Sequence, residues 1–108
     1  MEHIKLNVPK AIQGLVGGER DRLLRSALRV AAKQRARELE KERREAVGHI
    51  RRFERKYNVS LPVFERKTLR TLNTVQVHED YNDWFFWTHV LERADRATTA
   101  LRKMESVK

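Results

Sequence analysis

The chain contains no cysteine, and only two prolines and four glycines among 108 residues. The missing cysteines exclude disulfide staples, zinc–thiolate sites and cysteine nucleophiles, and they fit a reducing cytosol. No apolar run approaches the roughly 20 residues that span a bilayer. The first residues lack the pattern of a signal peptide. The chain is therefore expected to be cytoplasmic, with no membrane partner. Phosphate-binding loops are also missing, because Gly14, Gly17 and Gly18 lack the lysine and spacing such a loop needs.

Catalytic chemistry is equally sparse. His78, Glu79, Asp80 and Asp83 are the one cluster that invites a metal or acid–base reading. His78 and Asp80 do not share a helix face, and no second histidine lies at ligand spacing. No Ser/His/Asp arrangement is legible. No catalytic residue, metal or cofactor is assigned. A thin helical pair also offers little cavity volume for catalysis. The sequence points to binding, not turnover.

What is present is charge. The formal net charge is +9. Residues 19–57 hold fourteen Lys/Arg against seven Asp/Glu, with no proline and one glycine. That run reads as one helix, about 55–60 Å long at the usual rise. One hundred and eight residues make one domain at most, so so long a helix needs a partner helix. A basic segment joined to a slightly acidic C-terminal part suggests an anionic partner, most often nucleic acid. Arg25, Arg29 and Lys33 are the candidate phosphate contacts on this helix; the alternative is a solvated face.

Leu23, Leu24, Ala27, Leu28, Ala31 and Ala32 open the helix with a wide apolar stripe. A 4-3 rhythm then continues through Ala36, Leu39, Ala46, Ile50, Phe53 and Tyr57, interrupted at Arg43. Asp21–Arg25 and Glu40–Arg44 are spaced for helix-supporting pairs. Gly48 is a weak point and a candidate for close helix contact. Small and polar seam residues favour packing against a helix of the same chain over an isolated coiled coil.

Asn58 to Pro62 breaks the helix. Ser60 can cap a short helix with Pro62 in its first turn, presenting Val63, Phe64, Leu69 and Leu72. A second break precedes an aromatic helix capped by Asn73 or Thr74. Its expected core face is Val77, Tyr81, Trp84, Phe85, Thr88, Leu91, Ala94, Thr98 and Leu101. Four consecutive aromatics, Trp84 to Trp87, cannot all meet one partner helix at about 100° per residue. Tyr81, Trp84, Phe86 and Trp87 are therefore candidate protein-interface residues. Glu79, Asp80 and Asp83 favour the helix dipole and can pair with arginines of the long helix.

At the other end, Ile4, Leu6 and Val8 alternate with Lys5 and Asn7, a strand pattern too short to stand alone. Pairing with a second copy would shelter it, which makes Ile4, Leu6 and Val8 interface candidates and the protein a homodimer. Pro9 starts about two helical turns that Gly17-Gly18 closes. This order of elements is that of ribbon-helix-helix DNA-binding domains, in which a two-stranded ribbon enters the major groove. His3, Lys5 and Asn7 would then face the bases. The expected fold is mainly α: a short N-terminal strand, one very long helix packed as an antiparallel hairpin against a C-terminal aromatic helix, and a short helix in the connection. Residues 1–18 form a dimerisation arm. Residues 19–108 form the hairpin domain, with helices at about 19–57, 61–70 and 75–103.

The segments Ile4 to Lys10, Phe53 to Tyr57, Ser60 to Glu65 and Asp80 to Trp87 resemble small prokaryotic, often archaeal, antitoxin-like proteins of toxin–antitoxin systems. The resemblance spans most of the chain. It implies a dimer whose ribbon and basic surface contact operator DNA and whose aromatic helix clasps a cognate toxin or the dimer mate. The rival class is a helical scaffold, or a nonspecific nucleic-acid-binding protein.

Overall fold

A computed structural model describes residues 17–106. The expected strand of Ile4, Leu6 and Val8, with His3, Lys5 and Asn7, and the short helix after Pro9 lie outside the described residues. The described chain forms α1 (Gly17–Tyr57), a short helical segment α2 (residues 61–71) and α3 (Val75–Ser106). The described residues contain no strand. No helix among them is long and apolar enough to cross a membrane.

The chain divides into two compact units, Met1–Gln34 and Arg35–Lys108. Of the first, the described part is helical. Gly17 and Gly18 belong to its opening turn and do not form the turn expected of them. Glu19 there and Arg55 and Lys56 in the last turn of α1 match the sign of the helix dipole.

In the second unit, α1 and α3 run antiparallel. Arg43 meets Asp95, His49 meets Trp87 and Lys56 meets Asp80, so partners descend α3 as α1 advances. The seam is built as the apolar rhythm requires. Leu39, Ala46, Val90 and Ala94 are buried. Alanines on both helices remove the side-chain bulk that would hold the backbones apart. Half-buried Thr88 satisfies its hydroxyl within its own helix, donating to the Trp84 carbonyl at 2.9 Å. Arg43, which interrupts the stripe, turns to the surface and pairs with Asp95 at 3.2 Å.

The large apolar volume lies at the closed end. α1 stops where Asn58 takes a left-handed backbone, φ 55°, a conformation asparagine tolerates after a helix. Ser60 precedes α2 and accepts a 2.9 Å hydrogen bond from the Phe64 amide through its carbonyl; its side chain makes no cap bond. α2 then departs from the regular helix expected. After an α turn at Leu61–Val63, a π-helical turn spans Phe64–Thr68, closed by the Leu69 amide on the Phe64 carbonyl. A final α turn follows at Leu69–Thr71. Phe64 is thereby fully buried and packs against Trp84 and Val77, with Ile50, Phe53, Tyr57, Val59, Leu61, Leu69 and Tyr81 around them. Leu72, expected on the same apolar face, is half exposed. α3 starts at a Thr74 cap, whose hydroxyl accepts from the Val77 amide at 3.2 Å.

Trp84 is enclosed by this cluster at 0 % exposure. Its ring lies 5.1 Å from Phe64, 5.7 Å from Phe53 and 6.1 Å from Tyr57. Among the described residues no acceptor reaches its indole N–H. Tryptophan serves here through volume rather than through its polar edge. It is therefore a core residue, and its expected place at a protein interface is corrected. Phe85 is corrected in the opposite sense: expected in the core, it stands 44 % exposed.

Other local expectations also change. Asp21–Arg25 and Glu40–Arg44 do not pair. Arg22 instead reaches Glu19 at 3.3 Å, and Arg35 reaches Glu38 at 3.0 Å and Glu42 at 3.5 Å. These surface pairs each contribute little. Gly48 marks no close helix contact. A methyl group added there would meet no neighbouring atom within 4 Å.

Two stability outcomes follow. Trp84→Ala removes the centre of the cluster and should cost about 3–5 kcal/mol, read as a lower denaturant midpoint. Gly48→Ala should add about 1 kcal/mol by restoring helix propensity without a clash, read in the same titration.

Candidate aromatic and basic interface

The candidate surface grows out of the same helical register. On α1, His49, Arg52, Phe53 and Lys56 recur at i, i+3, i+4 and i+7, so they share one face. On α3, Asp80, Asp83 and Trp87 do the same, with Phe86 beside them. Together these eight residues line an open groove of about 520 Å³.

Asp80 anchors its floor. It is buried, 6 % exposed. Lys56 Nζ donates to Oδ2 at 2.6 Å, the Tyr57 hydroxyl donates to the same oxygen, and Gln76 Nε2 donates to Oδ1 at 2.9 Å. Burial pushes this carboxyl up. The hydrogen bonds from Lys56, Tyr57 and Gln76, with the lysine charge, outweigh burial and hold it below its ordinary value. The Tyr57 hydroxyl moves the other way. Burial, then its bond to Asp80, then the carboxylate charge push it up to about 12. The acidic residues at the start of α3 were expected to pair with arginines of the long helix; the ion pair formed there is with a lysine. His78 turns away and bonds Asn73 Oδ1 at 2.7 Å. Among the described residues, no group of three or more His, Asp or Glu side chains is arranged to hold a metal.

Above this floor sits a stack. The His49 and Trp87 rings lie parallel, centroids 4.0 Å apart and 7° from coplanar. Arg52 also contacts His49 Nδ1. A guanidinium can only donate, so Nδ1 is the accepting atom of this contact. Trp87 is half-buried, with its ring stacked on His49 of α1. Phe86 meets the edge of Trp87 at 5.1 Å and remains 56 % exposed. On the other flank, Phe85 lies 4.4 Å from His89 and 5.9 Å from Tyr81, which is half-buried.

Of the interface residues expected on α3, Phe86 is exposed, Trp87 and Tyr81 are half-buried, and Trp84 is enclosed. Ile4, Leu6 and Val8 lie outside the described residues. Of the expected nucleic-acid contacts, Arg25, Arg29 and Lys33 are exposed on α1; His3, Lys5 and Asn7 lie outside the described residues. Sequence reasoning missed His49, and took Arg52 and Lys56 only as part of the basic surface of the long helix. Their spacing on one helix face was available, but nothing in the sequence told which face of α1 borders Trp87.

No family model, curated protein or solved structure matches this chain.

The Asp80 cluster sets the pH response. A carboxyl held low when folded contributes stability above its unfolded value, and this is lost as pH falls through the folded value. A phenol held high contributes below pH 10, and this is lost as pH rises toward about 12. Thermal melts should therefore fall at acid pH below the ordinary carboxylate range, and again between pH 10 and about 12. Asp80→Asn should flatten the acid limb and Tyr57→Phe the alkaline one.

Proposed function

We propose that this chain is a non-enzymatic binding protein whose aromatic surface on α3 takes a segment of a partner protein. The observation that carries the reading is the exposure of Phe85 and Phe86, 44 % and 56 %, on either side of the enclosed Trp84. Large aromatics held at the surface by a rigid support are the residues that dominate protein interfaces. The groove beside Phe86 is open, and its buried carboxylate is already taken by three donors. That suits recognition better than proton transfer.

The partner's chemistry is indicated by the groove's α1 wall. Arg52 and Lys56 line it, and Arg51 and Arg55 adjoin them in the chain outside the groove, against one acid, Glu54. An amphipathic helix with apolar anchors and an acidic flank fits this surface. An antitoxin-like protein that masks a toxin is the specific form of this reading. Its homodimeric, operator-binding part would use His3, Lys5 and Asn7.

A second reading concerns nucleic acid. Arg22, Arg25, Arg29 and Lys33 are all exposed and recur along one side of α1. Such a stripe is an electrostatic footprint for a phosphate backbone.

The partner reading is tested by pull-down from the source cells with the intact chain and with Phe85→Ala/Phe86→Ala. A stoichiometric acidic partner should be retained by the first and lost by the second, with affinity reduced about thirtyfold or more and the melt unchanged. Equal recovery by both would contradict the reading. For the nucleic-acid reading, replacing Arg25, Arg29 and Lys33 with Gln should lower the slope of log affinity against log salt by about 2.7 on duplex DNA. An unchanged slope would remove those residues from the contact.

A further inference from the structure

The cations of α1 between residues 35 and 57 fall into two classes. Arg35 pairs with Glu38 and Glu42, Arg43 with Asp95 and Lys56 with Asp80, and Arg52 contacts His49. The others are Arg37, Lys41, Arg44, Arg51 and Arg55, all exposed. Glu40, Glu45 and Glu54 stand three or four positions from Arg37, Lys41, Arg44 and Arg51. Yet among the described residues none of these five cations forms an ion pair.

Register explains the sorting. The five cations and Gly48 each lie two positions before a member of the seam rhythm Leu39, Arg43, Ala46, Ile50, Phe53 and Tyr57. Two positions turn a helix by about 200°. They therefore form one row, about 27 Å long, on the side of α1 turned away from α3. No Asp or Glu occupies it. Like charges four positions apart, as at Arg37 and Lys41 and at Arg51 and Arg55, repel and weaken the free helix.

Gly48 stands at the centre of the row. Arg44 and Arg51 lie one turn to either side, and Lys41 and Arg55 two turns away. A methyl group at Gly48 would meet no neighbouring atom within 4 Å, so packing within the chain does not require glycine there. What glycine leaves is bare helix backbone between arginines. That suits a ligand which comes up against the main chain.

The composition of the row selects the ligand. A bilayer surface is held by apolar side chains beside the cations, and the row has none. Unpaired bases are held on aromatic platforms, and the row has none of these either. Aligned arginines suit the phosphates of a duplex, which they can grip bidentately. We propose that this face of α1 binds double-helical nucleic acid, with one phosphate strand crossing the helix at Gly48 between Arg44 and Arg51. Such contacts position a duplex without reading its sequence. The face shares no residue with the lining of the aromatic groove or with Arg25, Arg29 and Lys33, so it depends on neither reading given above.

Fluorescence anisotropy of the full chain with a mixed-sequence DNA duplex of about 20 bp, read across a salt series, tests it. Arg44→Gln/Arg51→Gln should lower the slope of log affinity against log salt by about 1.8, with helical circular dichroism retained. The same decrement should appear in a chain already carrying Arg25→Gln/Arg29→Gln/Lys33→Gln, which separates the two basic faces. Gly48→Leu should melt no lower than the parent and should weaken duplex binding severalfold, because the new side chain holds the strand off the backbone. An unchanged slope in the arginine pair, or undiminished affinity in Gly48→Leu, would overturn the proposal. So would a single strand of the same sequence bound as tightly as the duplex, or displacement of the duplex by phosphatidylserine vesicles at equal phosphate concentration.

Discussion

Enclosure of Trp84 is the constraint on which the hairpin depends. The seam between α1 and α3 is lined along most of its length by small or modest side chains such as Ala46, Ala94, Leu39 and Val90. These permit close approach but bury little area each. All eight aromatic residues lie between Phe53 and Trp87. The driving force for closing the hairpin is therefore concentrated at one end, where Phe53, Tyr57 and Phe64 surround Trp84. α2 exists to complete that enclosure. Its π-helical turn at Phe64–Thr68 accompanies the full burial of Phe64, consistent with the local role such turns play in aiming a side chain.

Asp80 has a related task at the edge of the cluster. A buried carboxylate without partners would be costly. Three donors from two helices satisfy it, and two of them, Lys56 and Tyr57, come from the last turn of α1. The bonds fix the register of α3 against α1 at the point where the apolar contacts are densest. Their directional geometry adds specificity more than net stability. With Trp84 and Asp80 held, the next residues of the aromatic run have no freedom to turn inward. Phe85 and Phe86 project to either side of the core, and Trp87 reaches the His49 ring. The surface available for recognition is a geometric consequence of how the core is filled.

Much of this was legible in the sequence. The proline-free basic run gave α1, the Asn58–Pro62 break gave its end, and the spacing of Leu39, Ala46, Trp84 and Ala94 gave the buried stripe. Thr74 was legible as a cap. What failed has identifiable causes. Phe85 looks like core because periodicity treats a helix as having one apolar partner, whereas its outward position depends on Trp84 filling the space first. The π turn in α2 leaves no periodic signature over so few residues. The i, i+4 ion pairs lost to i, i+3 pairs of similar small energy, a choice that spacing alone does not make. The groove was invisible because its two walls come from different helices, one at residues 49–56 and the other at residues 80–87, and sequence spacing reports faces within a helix, not which faces meet. Gly48 looked like a contact because close packing is the commonest reason to keep glycine in a helix; here the site is open.

Native-state hydrogen exchange resolved by residue tests the central claim most directly. If the aromatic end holds the hairpin, the slowest amides should lie at residues 50–57 and 77–90, exchanging only through global opening. The alanine-lined stretch at residues 36–46 and 94–101 should exchange faster. Slowest exchange in the alanine-lined stretch, with the amides around Trp84 opening first, would contradict the account.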